Sequence, residues 1–260
     1  MCLIILAHQC RPGQPLVVAA NRDEFFARPT APARFWQDHP SLLAGQDLEL
    51  GGTWLGITRN GRFAAITNSR DPARTAPAPR SRGELTLNFL VGADSPRDYL
   101  HRIAESADAY AGFNLLLADT DSLWYFSNHG EKAVAGPRAL RPGLYGLSNA
   151  SLDTPWPKVE MGKSRMSKLA DDAPDHGALL TVVNDPRLAS PEALHGQGLT
   201  GEMDQALSAQ FIQAGHYGTR CSTTLWTEDS GTINWRETSY DETGAVVGAV
   251  TEAFGLDLQA

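Results

Sequence analysis

Met1-Cys2-Leu3-Ile4-Ile5-Leu6-Ala7-His8 and Leu16-Val17-Val18-Ala19-Ala20-Asn21-Arg22-Asp23-Glu24 are the two stretches that decide the fold. Each opens as an unbroken apolar run, too short for the roughly 18 residues of a spanning helix. Runs of this length, bounded by turn signals, read as strands buried on both faces. Arg11-Pro12-Gly13 lies between them and predicts an antiparallel hairpin. With the turn centred near Pro12, Cys2 falls across from Arg22, to within about two residues. The start of the chain then sits beside Asn21-Arg22-Asp23-Glu24. No basic residue precedes the first run and no small-residue cleavage site follows it, so it is not expected to be a signal peptide.

Outward from that hairpin the pattern stays antiparallel. Trp54–Thr58 and Phe63–Thr67 flank Asn60-Gly61, a short hairpin signal that calls for positive φ at both turn residues, and the second strand delivers Asn68. Residues 70–83, rich in Pro, Ala and Arg, read as an exposed loop. Ser81-x-x-Glu84 reads as a capping box opening a helix toward Val91, and Ser95-Pro96 opens another. Phe113–Leu117 and Leu123–Phe126 read as strands, and Leu144–Leu147 as a short strand delivering Ser148-Asn149. A helix is expected from Thr154-Pro155, with Val159, Met166 and Leu169 on its apolar stripe, and further helices over 176–184 and 202–213. Thr219–Thr227 and Thr232–Glu237 close the pattern as a hairpin. Local hairpins with helices grouped between them predict α+β architecture. With no repeat and no dividing linker, a single domain over 1–260 is expected.

Composition bounds the function. The chain has 260 residues, 22 Lys plus Arg against 30 Asp plus Glu, and a net charge of −8. That excess of acid argues against phosphate-backbone binding, so no nucleic-acid partner is expected. No membrane span is expected either. Three cysteines, Cys2, Cys10 and Cys221, make no disulfide framework and fit a reducing, cytoplasmic setting. His8 and Cys10 share a strand face, but two ligands do not make a metal site, and no metal or cofactor is expected. Gly196-Gln197-Gly198-Leu199-Thr200-Gly201 spells G-x-G-x-x-G without a preceding strand, which makes it a loop rather than a dinucleotide site.

Cys2 is the residue with the most chemical promise. Removal of Met1 would leave it with both a thiol and a free α-amine, whose ordinary pKa values are about 8.5 and about 8. The amine can then act as base for the residue's own thiol. Arg22 across the hairpin would favour the thiolate, and Asp23 could orient the ammonium. Asn68 and Asn149, at other strand ends, are candidate donors to a developing oxyanion. Against this stands the plain alternative that Cys2 is a small buried hydrophobe.

Taken in order, Met1-Cys2, Asn21-Arg22-Asp23-Glu24, Gly51-Gly52-Thr53-Trp54-Leu55-Gly56, Thr67-Asn68, Gly146-Leu147-Ser148-Asn149 and Tyr217-Gly218-Thr219-Arg220 resemble the NRDE family, the transport and Golgi organisation protein 2 homologues. The family is similar in turn to N-terminal nucleophile hydrolases of the choloylglycine hydrolase and penicillin V acylase type. That resemblance implies a four-layer αββα fold, Cys2 as nucleophile, Asn21 and Asp23 as the strand-end Asn-x-Asp, and Asn68 and Asn149 near the oxyanion. The Arg that precedes the Asn-x-Asp in those hydrolases is Ala20 here, with Arg22 inside the motif instead. Arg220 is the nearest match to their remaining arginine and, with Asn21, is assigned to substrate binding.

Two functions follow as expectations. The first is a Cys2-dependent hydrolase of a C–N amide bond in a small acylated substrate, served by Arg22, Asp23, Asn68 and Asn149. The alternative is a non-catalytic haem or acyl-CoA/lipid carrier on the same fold, with Arg70, Arg74, Arg80 and Arg82 gripping propionates or phosphates. The sequence does not define an oligomeric state.

Overall fold

A computed structural model describes residues 2–69, 78–129, 135–169, 174–197 and 199–257. The chain divides into two compact units, both discontinuous in sequence. The first comprises Met1–Ala27, Pro142–Ser148 and Leu152–Ala253, the second Arg28–Arg141, Asn149–Ser151 and Phe254–Ala260.

The first unit is built on the predicted hairpin. β1 (Cys2–Arg11) and β2 (Gln14–Phe25) pair antiparallel, with Cys2 opposite Arg22 and Ile4 opposite Ala20. Pro12 and Gly13 make the turn, Gly13 at φ 72°. β10 (Gly143–Leu147) adds to the outer edge of β1. β12 (Tyr217–Thr227) covers the other edge of β2 and carries on through β13 (Thr232–Tyr240) to β14 (Val246–Gly255). The short β11 (Gln213–Ala214) pairs with β12. Leu3, Ile5, Ala7, Val17 and Ala19 on one face pack with Val159, Met166, Leu179 and Val182. Ile4, Leu6, Val18 and Ala20 on the opposite face are buried as well, which is why the strands read as continuous apolar runs. The helices of this unit are α3 (Pro157–Lys168), α4 (His176–Leu180), α5 (Pro191–His195) and α6 (Glu202–Ala206).

The second unit is a seven-stranded antiparallel meander in chain order: β3 (Thr30–Phe35), β4 (Leu42–Asp47), β5 (Leu55–Thr58), β6 (Phe63–Asn68), β7 (Phe113–Ala118), β8 (Leu123–Ser127) and β9 (Arg138–Leu140). α1 (Gly83–Val91) and α2 (Pro96–Ala104) pack Leu85, Phe89, Leu100 and Ile103 against Leu42, Ala64, Leu115 and Leu117 of one sheet face.

Some local expectations change. At the Asn60-Gly61 turn only Gly61 is left-handed, at φ 80°, because the loop is a four-residue turn closed by Gly61 N–H on the Thr58 carbonyl at 2.9 Å. Ser81 does not form a capping box with Glu84. Its hydroxyl accepts from Gly83 N–H at 3.3 Å, while Glu84 accepts from the Tyr110 hydroxyl and pairs with Arg80. The helix expected over 202–213 stops at Ala206, because Gln210 and Phe211 both donate their N–H groups to the Asp185 carbonyl instead. The α+β architecture with two antiparallel sheets stands.

Candidate functional site

β2 leaves the apolar core with its polar end still inside the first unit: Asn21, Arg22 and Asp23 are all buried. Their neighbours follow from strand order. Cys2 lies across Arg22 on one side, and Cys221 lies across it on the other. Thr219 pairs with Asp23, so a bulge leaves Arg220 as the extra residue of β12.

Cys2 is part-buried. Burial pushes its thiol above the ordinary range, and the nearby Asp23 charge adds to that. The N-terminal amino charge, the Asp23 backbone N–H donating to the sulfur and the Arg22 charge oppose it. The Cys2 carbonyl accepts from the Ser148 hydroxyl at 2.9 Å, which ties the Leu147-Ser148-Asn149 motif to the start of β1.

Asp23 is held by two hydroxyls of β12. Its Oδ1 accepts from the Thr219 hydroxyl at 2.7 Å, and its carbonyl accepts from the Tyr217 hydroxyl at 2.8 Å. Burial pushes the carboxyl up. The N-terminal amino charge, Lys158, the Thr219 hydroxyl and Arg22 pull it back down. Burial also pushes the Tyr217 hydroxyl far up, so it stays a donor at any ordinary pH.

Asn21 spends its amide inside the unit. Nδ2 donates to the carbonyls of Val183 (2.7 Å) and Gln210 (2.8 Å), and Oδ1 accepts from the Ser222 hydroxyl at 2.6 Å. Arg220, expected to bind substrate, donates from Nη1 to the Phe25 carbonyl at 2.8 Å and lies over the Phe26 ring.

The two remaining candidates lie together in the second unit. Asn68 ends β6, and Asn149 Nδ2 donates to its carbonyl at 2.7 Å. Asn114, which the sequence did not flag, holds this segment: its Nδ2 donates to the Thr67 hydroxyl and the Ala150 carbonyl, and its Oδ1 accepts from the Tyr125 hydroxyl. A polar residue inside the apolar run Phe113–Ala118 was the available signal.

The structure thus brings Cys2, Asn21, Arg22, Asp23 and Arg220 together, and Asn68 with Asn149. Met1 lies outside the described residues, as do Arg70 and Arg74 of the loop cluster. Of the other two, Arg80 pairs with Glu84 and Arg82 donates to the Gly112 carbonyl. Among the described residues no three His, Cys, Asp or Glu side chains converge as metal ligands. No helix among them is long and apolar enough to cross a membrane.

A variant of the conjugated bile acid hydrolase from Clostridium perfringens has a similar structure, with a TM-score of 0.51 at 10% identity, covering 99% of this chain and 98% of that one. The likeness is one of fold, and the fold is that of the N-terminal nucleophile hydrolases. The chain itself belongs to the Transport and Golgi organisation 2 family, whose model matches residues 1–242. It is 36% identical over 260 residues to the Transport and Golgi organization protein 2 homolog of Bos taurus, and 36% identical over 263 residues to the one of Homo sapiens. Each match covers 92% of this chain and 93% of the relative.

Proposed function

We propose that the protein is an N-terminal cysteine hydrolase of C–N amide bonds in small acylated substrates. The observation that carries this reading is the register that sets Cys2 opposite Arg22 and beside Asp23 at the buried end of β2. Because burial raises the Cys2 thiol, it holds its proton near neutral pH, and attack on a carbonyl needs a base. The α-amine of Cys2, freed by loss of Met1, supplies it. The sulfur adds to the substrate carbonyl, and the amine passes the thiol proton to the leaving nitrogen as the C–N bond breaks. Water then cleaves the thioester, releasing the acid and restoring the thiol. Asp23 holds the terminal ammonium and Arg22 offsets the thiolate. Asn68 and Asn149 keep the oxyanion role that the family resemblance gives them, and Asn21 and Arg220 fix the strand ends around the nucleophile.

The test is turnover of a panel of acyl amides by protein whose intact mass shows loss of Met1. Cys2→Ala is expected to abolish hydrolysis, a loss of at least about 10³-fold, with an unchanged melting temperature. Equal turnover in the variant would sink the reading. The second reading is a non-catalytic carrier of haem or acyl-CoA on the same fold; the relatives' names refer only to transport and Golgi organisation. Thermal stabilisation by either ligand, unchanged in Cys2→Ala and without hydrolysis, would support it.

A further inference from the structure

Lys158 stands in the first turn of α3, where the helix dipole disfavours a cation, and its side chain is only 3% exposed. A lysine is rarely buried to this degree without a counter-charge. Its ammonium donates to the Leu207 carbonyl at 2.9 Å, a neutral partner. The anionic group that acts on it most is Asp23.

We propose that Lys158 is a positioning residue: its buried ammonium holds Asp23 as a carboxylate beside Cys2. The idea rests on the reading in which Asp23 serves Cys2. The geometry is a short relay. Gln210 donates from Nε2 to the Lys158 carbonyl at 3.0 Å, and the Gln210 carbonyl accepts from Asn21, two residues before Asp23 on β2. By strand alternation Asn21 and Asp23 share the face of Val17 and Ala19, the face packed against Val159 and Met166 of α3. The first turn of α3 is therefore fastened to the strand positions that carry Asp23.

The charge logic closes on both partners. Burial favours a neutral Asp23 and a neutral Lys158, and each resists the other's neutralisation. The other groups around Asp23 are Arg22 and the Thr219 hydroxyl, which favour the carboxylate, as does the N-terminal amino charge of the chain that still carries Met1. Tyr217 stays neutral, and Cys221 and Glu237 lie beyond Arg22 on β12 and β13. A neutral Asp23 could not offset a terminal ammonium, so the charge on α3 reaches the nucleophile through it.

The experiment follows the Asp23 carboxyl carbon by 13C NMR through a pH titration, assigned with Asp23→Asn. Lys158→Gln removes the charge and keeps a donor for the Leu207 carbonyl. Lys158→Arg keeps the charge. The Asp23 midpoint is expected to rise by one pH unit or more in Lys158→Gln, about tenfold less carboxylate in the titrating range, and to stay within about 0.3 units in Lys158→Arg. An unchanged midpoint in Lys158→Gln overturns the proposal, as does an equal rise in both variants. Should Lys158→Gln fail to fold, the reciprocal measurement decides. The Lys158 ε-carbon in Asp23→Asn must titrate at lower pH than in the parent, and an unmoved midpoint overturns the proposal. Neither titration needs substrate, so a failure to find amide hydrolysis is a separate result.

Discussion

Asn21 shows how one side chain can set the position of a site without touching the chemistry. Both amide hydrogens go to carbonyls in separate loops, and its oxygen is bonded to a residue 201 positions later. Asn21→Ala leaves two carbonyls and a hydroxyl buried without their donor or acceptor. The expected cost is about 2–4 kcal/mol, read as a lower urea midpoint with an unchanged m-value. A loss under about 0.5 kcal/mol would mean that water or a loop shift replaces these bonds. The Cys2–Arg22 pairing could be read in the sequence, because a short turn fixes a hairpin's register by arithmetic. Lys158 could not. A lysine beside a helix's apolar stripe has the pattern of a solvated residue, and only the fold shows that its head lies inside.

Among the elements, α3 is positioned by glycines. A Cβ on Gly162 would come within 2.6 Å of Ile5 Cγ1, and one on Gly146 within 2.5 Å of Val159 Cγ1. The Ile5 side chain thus packs directly on the α3 backbone at Gly162, and the Val159 side chain directly on the β10 backbone at Gly146. Gly162→Ala improves helix propensity by up to about 1 kcal/mol, yet the overpacking it forces costs about 1–3 kcal/mol. The expected net outcome is a melting temperature a few degrees lower, and a rise would show that α3 can slide. The elements legible in the sequence were those whose turns carry their own chemistry, such as Pro12-Gly13 and Asn60-Gly61. β3 went unread because Pro32 interrupts it and it sits at a sheet edge with alternate residues exposed. β14 went unread because its side chains remain largely exposed, so burial leaves little apolar alternation. The end of α6 was missed because the bonds that capture Gln210 and Phe211 come from Asp185, far away in sequence.

For the molecule as a whole, both units draw on separated segments, and β2 finds its second neighbour only in β12. A chain ending at Gln213 therefore lacks the partner strand of β2 and the hydroxyls that hold Asn21 and Asp23. It is expected to show no slow-exchanging amides in β1 and β2, measured by hydrogen exchange. Persistent protection there would mean that the first hairpin folds without β12. The same late pairing bears on how the protein is made. At roughly 5–20 residues per second, the ribosome needs on the order of 10–40 s to extend from Asn21 to Ser222. For all that time the most apolar hairpin of the chain carries an open edge, a standing invitation to self-association that nascent-chain chaperones are placed to answer.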